Sequence, residues 1–350
     1  MDINKILILY TLNLVKGERS IFGVYHLLQG KTSVQTIQDG HLFECLFLFG
    51  SISKINREDF LKHIYELERK KMIILVKEDY YQVTDKGEDA LTKGLYSIPF
   101  IYHLNGWKYK RVTKSFWLRL TLFIQCLSNI LGHNHSFIPV TQDKRILFWV
   151  KRKLTIEKNR QLVATTLFKE LNELFSTLEV NDAEIVVRKL TSATEIGMTN
   201  EQIAQQLGLE KSTIDVRLMA IIHQLLQVID ENQAKFPLLF SFYKDLISPI
   251  KLTETAKATY LLWRNGMDIE AIAQFRRLKK NTIEDHFVEM SIAIPNFAIE
   301  SFVSEKEQKE ILSVINEIKS TRLKKIKERL PNGYDYFMIR LVLTKTGGRE

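Results

Sequence analysis

"GMDIEAIAQFRRLKKNTIEDHF" (Gly266–Phe287) restates "GMTNEQIAQQLGLEKSTIDVRL" (Gly197–Leu218), 69 residues upstream. Over Gly197–Asp215 against Gly266–Glu284, ten of nineteen positions are identical, which points to internal duplication of one supersecondary unit. Ile203, Ala204 and Leu207 are spaced to share one buried helix face. Gly208 stands where a tight turn needs a positive φ, and Leu209 and Ile214 are expected to bury the other side. The small Ala204 lets a second helix cross close by. This is helix-turn-helix grammar.

Thr199 and Asp268 are the expected N-caps of the first helix of each unit, and Ser212 and Asn281 are candidate caps of the second. A further helix precedes each unit: one from about Asn181, with Glu184 completing a capping box, the other from Thr253. Each repeat therefore reads as a three-helix bundle. In the second copy Arg277 replaces Gly208, and a left-handed Arg costs roughly 1 kcal/mol, so a modified turn is expected there.

At 350 residues the chain has room for two or three domains, and 45% hydrophobic content with only six prolines and fifteen glycines predicts a folded, mostly helical protein. Cys45 and Cys126 lie in apolar runs, which predicts reduced, buried thiols and fits a cytoplasmic location, at the nucleoid if DNA is bound. The early "ILILYTLNLV" lacks the flanking charges and small-residue cleavage site of a signal peptide. "SFWLRLTLFIQCLSNIL" (Ser115–Leu131) is too short to span a bilayer and carries Arg119. Phe116, Leu120, Phe123, Ile124, Leu127 and Leu131 make it an amphipathic core helix, so no membrane partner is expected.

The net charge of +9 is unevenly placed. Residues 101–160 hold twelve bases against two acids, and 319–349 hold nine against two. Both repeats lie in 180–300, where thirteen bases face sixteen acids. Helices that read DNA are normally flanked by phosphate-neutralising Lys and Arg. Lys211 and Arg217 of the first copy are balanced by Glu210 and Asp215. The second copy has a cationic turn, Arg276, Arg277, Lys279 and Lys280, leading into Glu284, Asp285 and Glu289. Phosphate or protein contact at "RRLKKN" is therefore expected ahead of base reading along "TIEDHF".

Upstream, Phe60, Ile64 and Leu67 form a helical stripe, "MIILV" and "YYQVT" read as short strands around "KED", and "TDKGEDAL" opens another helix. Helix, hairpin, helix is the winged-helix order. It resembles bacterial winged-helix regulators in which a Tyr-x-Val/Leu-Thr-x-x-Gly stretch closes the wing, here Tyr81, Val83, Thr84 and Gly87. Nine bases match nine acids over 54–94, and Glu78 and Asp79 sit at the expected wing tip, so a partner surface is as good a reading as phosphate binding. Between wing and repeats, "WKYKR" supplies Lys108, Lys110 and Arg111, and "WVKRK" supplies Lys151, Arg152 and Lys153. Aromatics interleaved with cations suit single-strand binding, the alternative being a solvated helix face whose Trp anchors the core.

No Gly-rich loop followed by Lys and Ser or Thr is present, nor a nucleophile elbow, so neither an ATPase motor nor another enzyme is expected. His133 and His135 in "GHNH" lack a third ligand and read as a polar loop; no metal or other cofactor is expected.

"LTETAKATYLLWRNGMDIEAIAQFRRLKKNTIEDHF", "AIESFVSEKEQKEIL" and "RLKKIKERLPNGYDYFMIRLVL" together resemble the helix-turn-helix domain at the C-terminus of some RecQ-family helicases. The likeness covers about 95 residues, from Lys251 to Leu343, in three blocks in the right order. The remainder, including "RSIFGVYHLLQGKTSVQTIQDG" (Arg19–Gly40), resembles the YpbB-type proteins of Bacillus and its relatives. These are stand-alone chains that carry the domain without a helicase core and whose gene lies beside that of a RecQ-type helicase. The resemblance implies a non-enzymatic accessory protein that helps a separate RecQ-type helicase recognise its partners or substrate, and the basic segments and second repeat leave DNA open as a further partner. It places Lys280, Asn281, Thr282 and His286 on the recognition helix, with Arg217 where the first copy departs from His286. The competing reading is a DNA-binding transcription regulator. Four segments are expected: a winged-helix-like domain at 1–97, a basic helical region at 98–179, the first helix-turn-helix unit at 180–248 and the helicase-associated domain at 249–350.

Overall fold

Helix Arg57–Arg69, strands Ile73–Lys77 and Tyr80–Val83, and helix Asp85–Ser97 follow one another in the winged-helix order. The computed structural model describes residues 1–134, 136–247 and 252–346, so His135 of the "GHNH" loop lies outside the described residues. Among those described, the chain is mainly helical, and its two strands pair antiparallel with Ile73 opposite Val83.

Local chemistry explains the wing. Asn56 caps the first helix by accepting the Asp59 N–H at 2.8 Å, and Phe60, Ile64 and Leu67 are buried as their spacing requires. The Thr84 hydroxyl donates to the Lys71 carbonyl at 2.8 Å and accepts the Gly87 N–H at 3.1 Å. A Cβ on Gly87 would lie 2.1 Å from the Met72 carbonyl oxygen, so close backbone approach demands glycine there. At the tip Asp79 takes a φ of 60° and its carbonyl accepts the Ile21 N–H at 2.8 Å.

Two units form. One comprises Met1–Asn4 and Gly94–Ile247; the other comprises Lys5–Lys93 and the described part of Ser248–Glu350. In the first, helix Gly106–Leu131 buries Phe116, Leu120, Phe123 and Leu127, whereas Leu131, its last residue, is more than a third exposed. Phe116 meets Tyr243 edge-on and Phe123 packs on Phe242. Helix Lys211–Glu231 has the length and apolarity to cross a membrane, but Ile214, Ile221, Leu225 and Ile229 are all within the core.

In the second unit, helices Glu254–Arg264, Ile269–Arg276 and Lys280–Ala293 form the three-helix bundle expected of the second repeat, sharing a core with the C-terminal helix Tyr336–Thr346. Trp263, Phe287, Phe297 and Phe302 make an aromatic cluster at its centre, with Phe297 and Phe302 stacked. Helix Val34–Leu42 packs on the third helix of this bundle and on the C-terminal helix. The Gln38 amide exchanges two 3.0 Å hydrogen bonds with Arg340, accepting from its Nε and donating to its carbonyl.

Cys45 is buried and Cys126 half-buried; both are free, and burial pushes their thiols up to about 12 and about 11.

Candidate nucleic-acid and partner interface

The two turns of the duplicated unit are built alike. Gly208 ends its helix at φ 64°, ψ 30°, and Arg277 ends the corresponding helix at φ 54°, ψ 42°. Leu209 and Leu278 then return N–H bonds of 2.9 Å to Ala204 and Ala273. The expected modification of the second turn is absent: Arg277 accepts the left-handed conformation, at roughly 1–2 kcal/mol, because the N–H bonds that close the turn demand it.

Other capping expectations divide. Thr199 forms a full capping box with Gln202, Asp268 accepts the Ala271 N–H, and Thr253 accepts the Ala256 N–H. Ser212 and Asn281 are not caps; they lie inside helices whose N-cap positions are Glu210 and Lys279, neither making a side-chain cap bond. Asn181 likewise sits within helix Val180–Arg188, which starts a residue earlier, so the proposed box with Glu184 does not form. Glu184 instead pairs with Arg188 one turn on. Leu207 and Leu209, expected in the core, are 45% and 40% exposed and line a cleft with Ile185, Arg188 and Arg217.

Helix Lys280–Ala293 is buried around most of its circumference. Ile283 and Phe287 face the bundle, while Val288 and Glu289, on other sides of the same helix, are also 0% exposed. Glu289 is satisfied by the Thr253 backbone N–H and by its hydroxyl at 2.9 Å. Asp285, where a groove-reading side chain would stand, pairs with Arg340, itself held by Gln38. His286 is 5% exposed: the Thr259 hydroxyl lies 2.8 Å from its Nδ1 and Arg276 Nη1 lies 3.5 Å away. Burial, reinforced by the Arg276 charge, pushes its pKa down to about 4. Arg276 is spent on the same cluster, donating to the Thr255 carbonyl at 2.7 Å and to Thr259. The structure thus buries His286 away from solvent and ties the half-buried Arg276 to the same internal cluster.

An exposed corner remains at the start of the helix, Arg277, Lys279, Lys280 and Asn281, with Thr282 half-buried beside it. Arg277 and Lys279 pair with no carboxylate among the described residues. Lys280 pairs with Glu270 at 2.7 Å, which raises its pKa and lowers that of Glu270. The first copy keeps the equivalent pair, Lys211 with Glu201, at 3.6 Å. Its Arg217 lies 2.5 Å from Asp182 and 5.5 Å from the Phe100 ring centre, an inward role like that of His286. Ser212 is half-buried within the first turn of its helix and donates to Glu210 at 3.2 Å.

Two rings of the basic motifs, Tyr109 and Trp149, do not present faces for stacking. Tyr109 is 2% exposed and donates to Asp230 at 2.9 Å, which also pairs with Lys108 at 2.8 Å. Trp149 packs edge-on to Phe242 beneath the Arg119 guanidinium, 4.4 Å from the ring centre, so it anchors the core. Lys110, Arg111, Lys151 and Arg152 are exposed, while Lys153 is half-buried and pairs with Glu157 at 3.1 Å.

The hairpin carries an apolar surface that no sequence motif announced. Strand Ile73–Lys77 buries only Ile73, leaving Ile74, Leu75 and Val76 each more than half exposed, with Tyr65 of the preceding helix 64% exposed. Neighbouring strand residues point to opposite faces, so neither face of the outer hairpin is covered. The signal was the unalternating "IILV", which a half-buried strand would have broken with polar residues.

These observations define a helical protein with two helix-turn-helix units and a winged-helix-like hairpin, its second unit presenting a cationic turn and little recognition-helix surface. A family model described as a helix-turn-helix domain matches residues 255–343. Over 345 residues, 97% of this chain and 96% of the relative, the sequence is 34% identical to Protein YpbB of Bacillus subtilis (strain 168), and the chain belongs to that protein's family. No solved structure matches it.

Proposed function

We propose that this chain is a non-enzymatic accessory protein of a RecQ-family helicase, binding the motor through protein surfaces and DNA through cationic patches. The observation that carries this reading is the enclosure of helix Lys280–Ala293. A transcription regulator needs several solvent-facing side chains on such a helix to discriminate bases in the major groove. Here Val288 and Glu289 are buried and Asp285 is bridged to Arg340, leaving the short Arg277–Asn281 corner, which suits phosphate contact without sequence readout. The exposed Ile74–Val76 strand is the apolar surface that a protein partner would cover. The resemblance of residues 251–343 to a domain attached to RecQ-type motors supplies the class of partner. Affinity capture of the tagged full chain from its own cells tests the reading: a RecQ-type helicase is the expected co-purifying protein.

A further inference from the structure

The helix that supplies "WVKRK", Lys144–Ile156, carries a further aromatic ring, Phe148, one position before the Trp. Ile146, Val150 and Leu154 recur every four residues and are buried at 5%, 1% and 7% exposure, which uses up the apolar stripe of this helix in the core. Phe148 lies on the other side and is 68% exposed. Lys144 and Arg152 stand four residues before and after it, Arg145 and Lys151 three, so all four cations surround the ring at the i±3 and i±4 positions, with Cβ atoms about 5–6 Å apart. Arg145 pairs with the capping Asp143 at 3.1 Å but is itself 91% exposed. Among the described residues Lys144, Lys151 and Arg152 pair with no carboxylate.

We propose that this face is a single-strand nucleic-acid contact, in which a base stacks on Phe148 and Lys144, Arg145, Lys151 and Arg152 neutralise the flanking phosphates. The exposed ring supplies the π-face that any base can use, and the cations supply backbone attraction. Duplex DNA hides its base faces and would use the cations alone. An acidic bilayer is disfavoured because the residues that would insert, Ile146, Val150 and Leu154, are already in the core. This face lies in the unit that does not contain the Arg277–Asn281 corner, and its role does not rest on association with a helicase.

The test is fluorescence anisotropy with the full chain and a labelled twenty-nucleotide oligothymidylate across a salt series. Phe148→Ala should weaken binding about tenfold with no change in salt slope, and Phe148→Trp should restore it. The pair Lys151→Ala and Arg152→Ala should instead flatten the logarithmic salt slope by about 1.4, at about 0.7 for each phosphate no longer neutralised. In a Lys279→Ala, Lys280→Ala background the Phe148 effect should persist. Unchanged affinity in Phe148→Ala overturns the proposal. So does binding to phosphatidylserine vesicles without binding to the oligonucleotide, or equal loss of duplex and single-strand affinity in Phe148→Ala.

Discussion

Arg276 and His286 share the Thr259 hydroxyl and approach to 3.5 Å, joining the three helices of the second repeat through the side chains that its sequence offers as DNA contacts. With a guanidinium at its Nδ1 edge the imidazole accepts from Thr259 and stays neutral, and a proton at Nδ1 would face a cation.

The folded pKa of His286, about 4, is depressed below the ordinary value of 6.5. Its contribution to stability is therefore complete above about pH 6.5 and is lost as pH falls toward 4, the range in which the unfolded chain alone binds the proton. Between pH 6.5 and 4.5 the wild type should lose about 1–2 kcal/mol more than His286→Asn in urea unfolding. Arg276→Ala should raise the His286 titration midpoint seen by NMR. A midpoint near 6.5 in the wild type would contradict the buried placement.

Arg277 spends conformational energy to hold a cation at the turn. Arg277→Gly should preserve the fold and stabilise it by about 1 kcal/mol, net of the extra flexibility of an unfolded Gly, while weakening binding to duplex DNA. Thermal unfolding and anisotropy on the same preparation check both halves. A variant that is both less stable and unchanged in binding would show that Arg277 serves the fold.

Glu270 holds part of the positive charge of the corner out of use. Because Lys280 is paired and Lys279 is not, Lys279→Ala should reduce duplex affinity more than Lys280→Ala, and Glu270→Gln should increase it two- to threefold at low salt. Removing a cation that neutralises one duplex phosphate should change the logarithmic salt slope by about 0.9. Equal effects of the two lysines would mean that the Glu270 pair is open in solution.

The hairpin should be replaceable without loss of fold. Ile74→Thr, Leu75→Thr and Val76→Thr together keep β-branched residues in an exposed strand, so the thermal midpoint should change by a few degrees at most. Capture of the helicase should fall at least tenfold. Retained capture by the triple variant would move the partner surface elsewhere.

The repeated element was legible because periodicity, caps and turns are written locally: Ile203 and Ile272, Ala204 and Ala273, Thr199 and Asp268 hold the places that their spacing assigns. Burial of a polar residue was not, since no local rule tells that Thr259, 27 residues before His286, would receive its ring, or that Gln38 would meet Arg340 from 302 residues away. The exposed leucines of the first copy fail for the same reason: Leu207 and Leu209 have the right period, but among the described residues no further element covers them. At the basic helix the reading of Trp149 as a core anchor agrees with its packing on Phe242, but the exposure of Phe148 was not legible until Ile146, Val150 and Leu154 showed which face is inside.

Sedimentation velocity of the purified full chain mixed with a purified RecQ-type helicase from the same organism, with no DNA present, addresses the proposed role directly. A stoichiometric complex at low micromolar concentration, lost in the Ile74, Leu75 and Val76 triple variant, is the expected result. Independent sedimentation of the two proteins, accompanied by tight sequence-specific duplex binding by this chain alone, would contradict it and favour a transcription regulator.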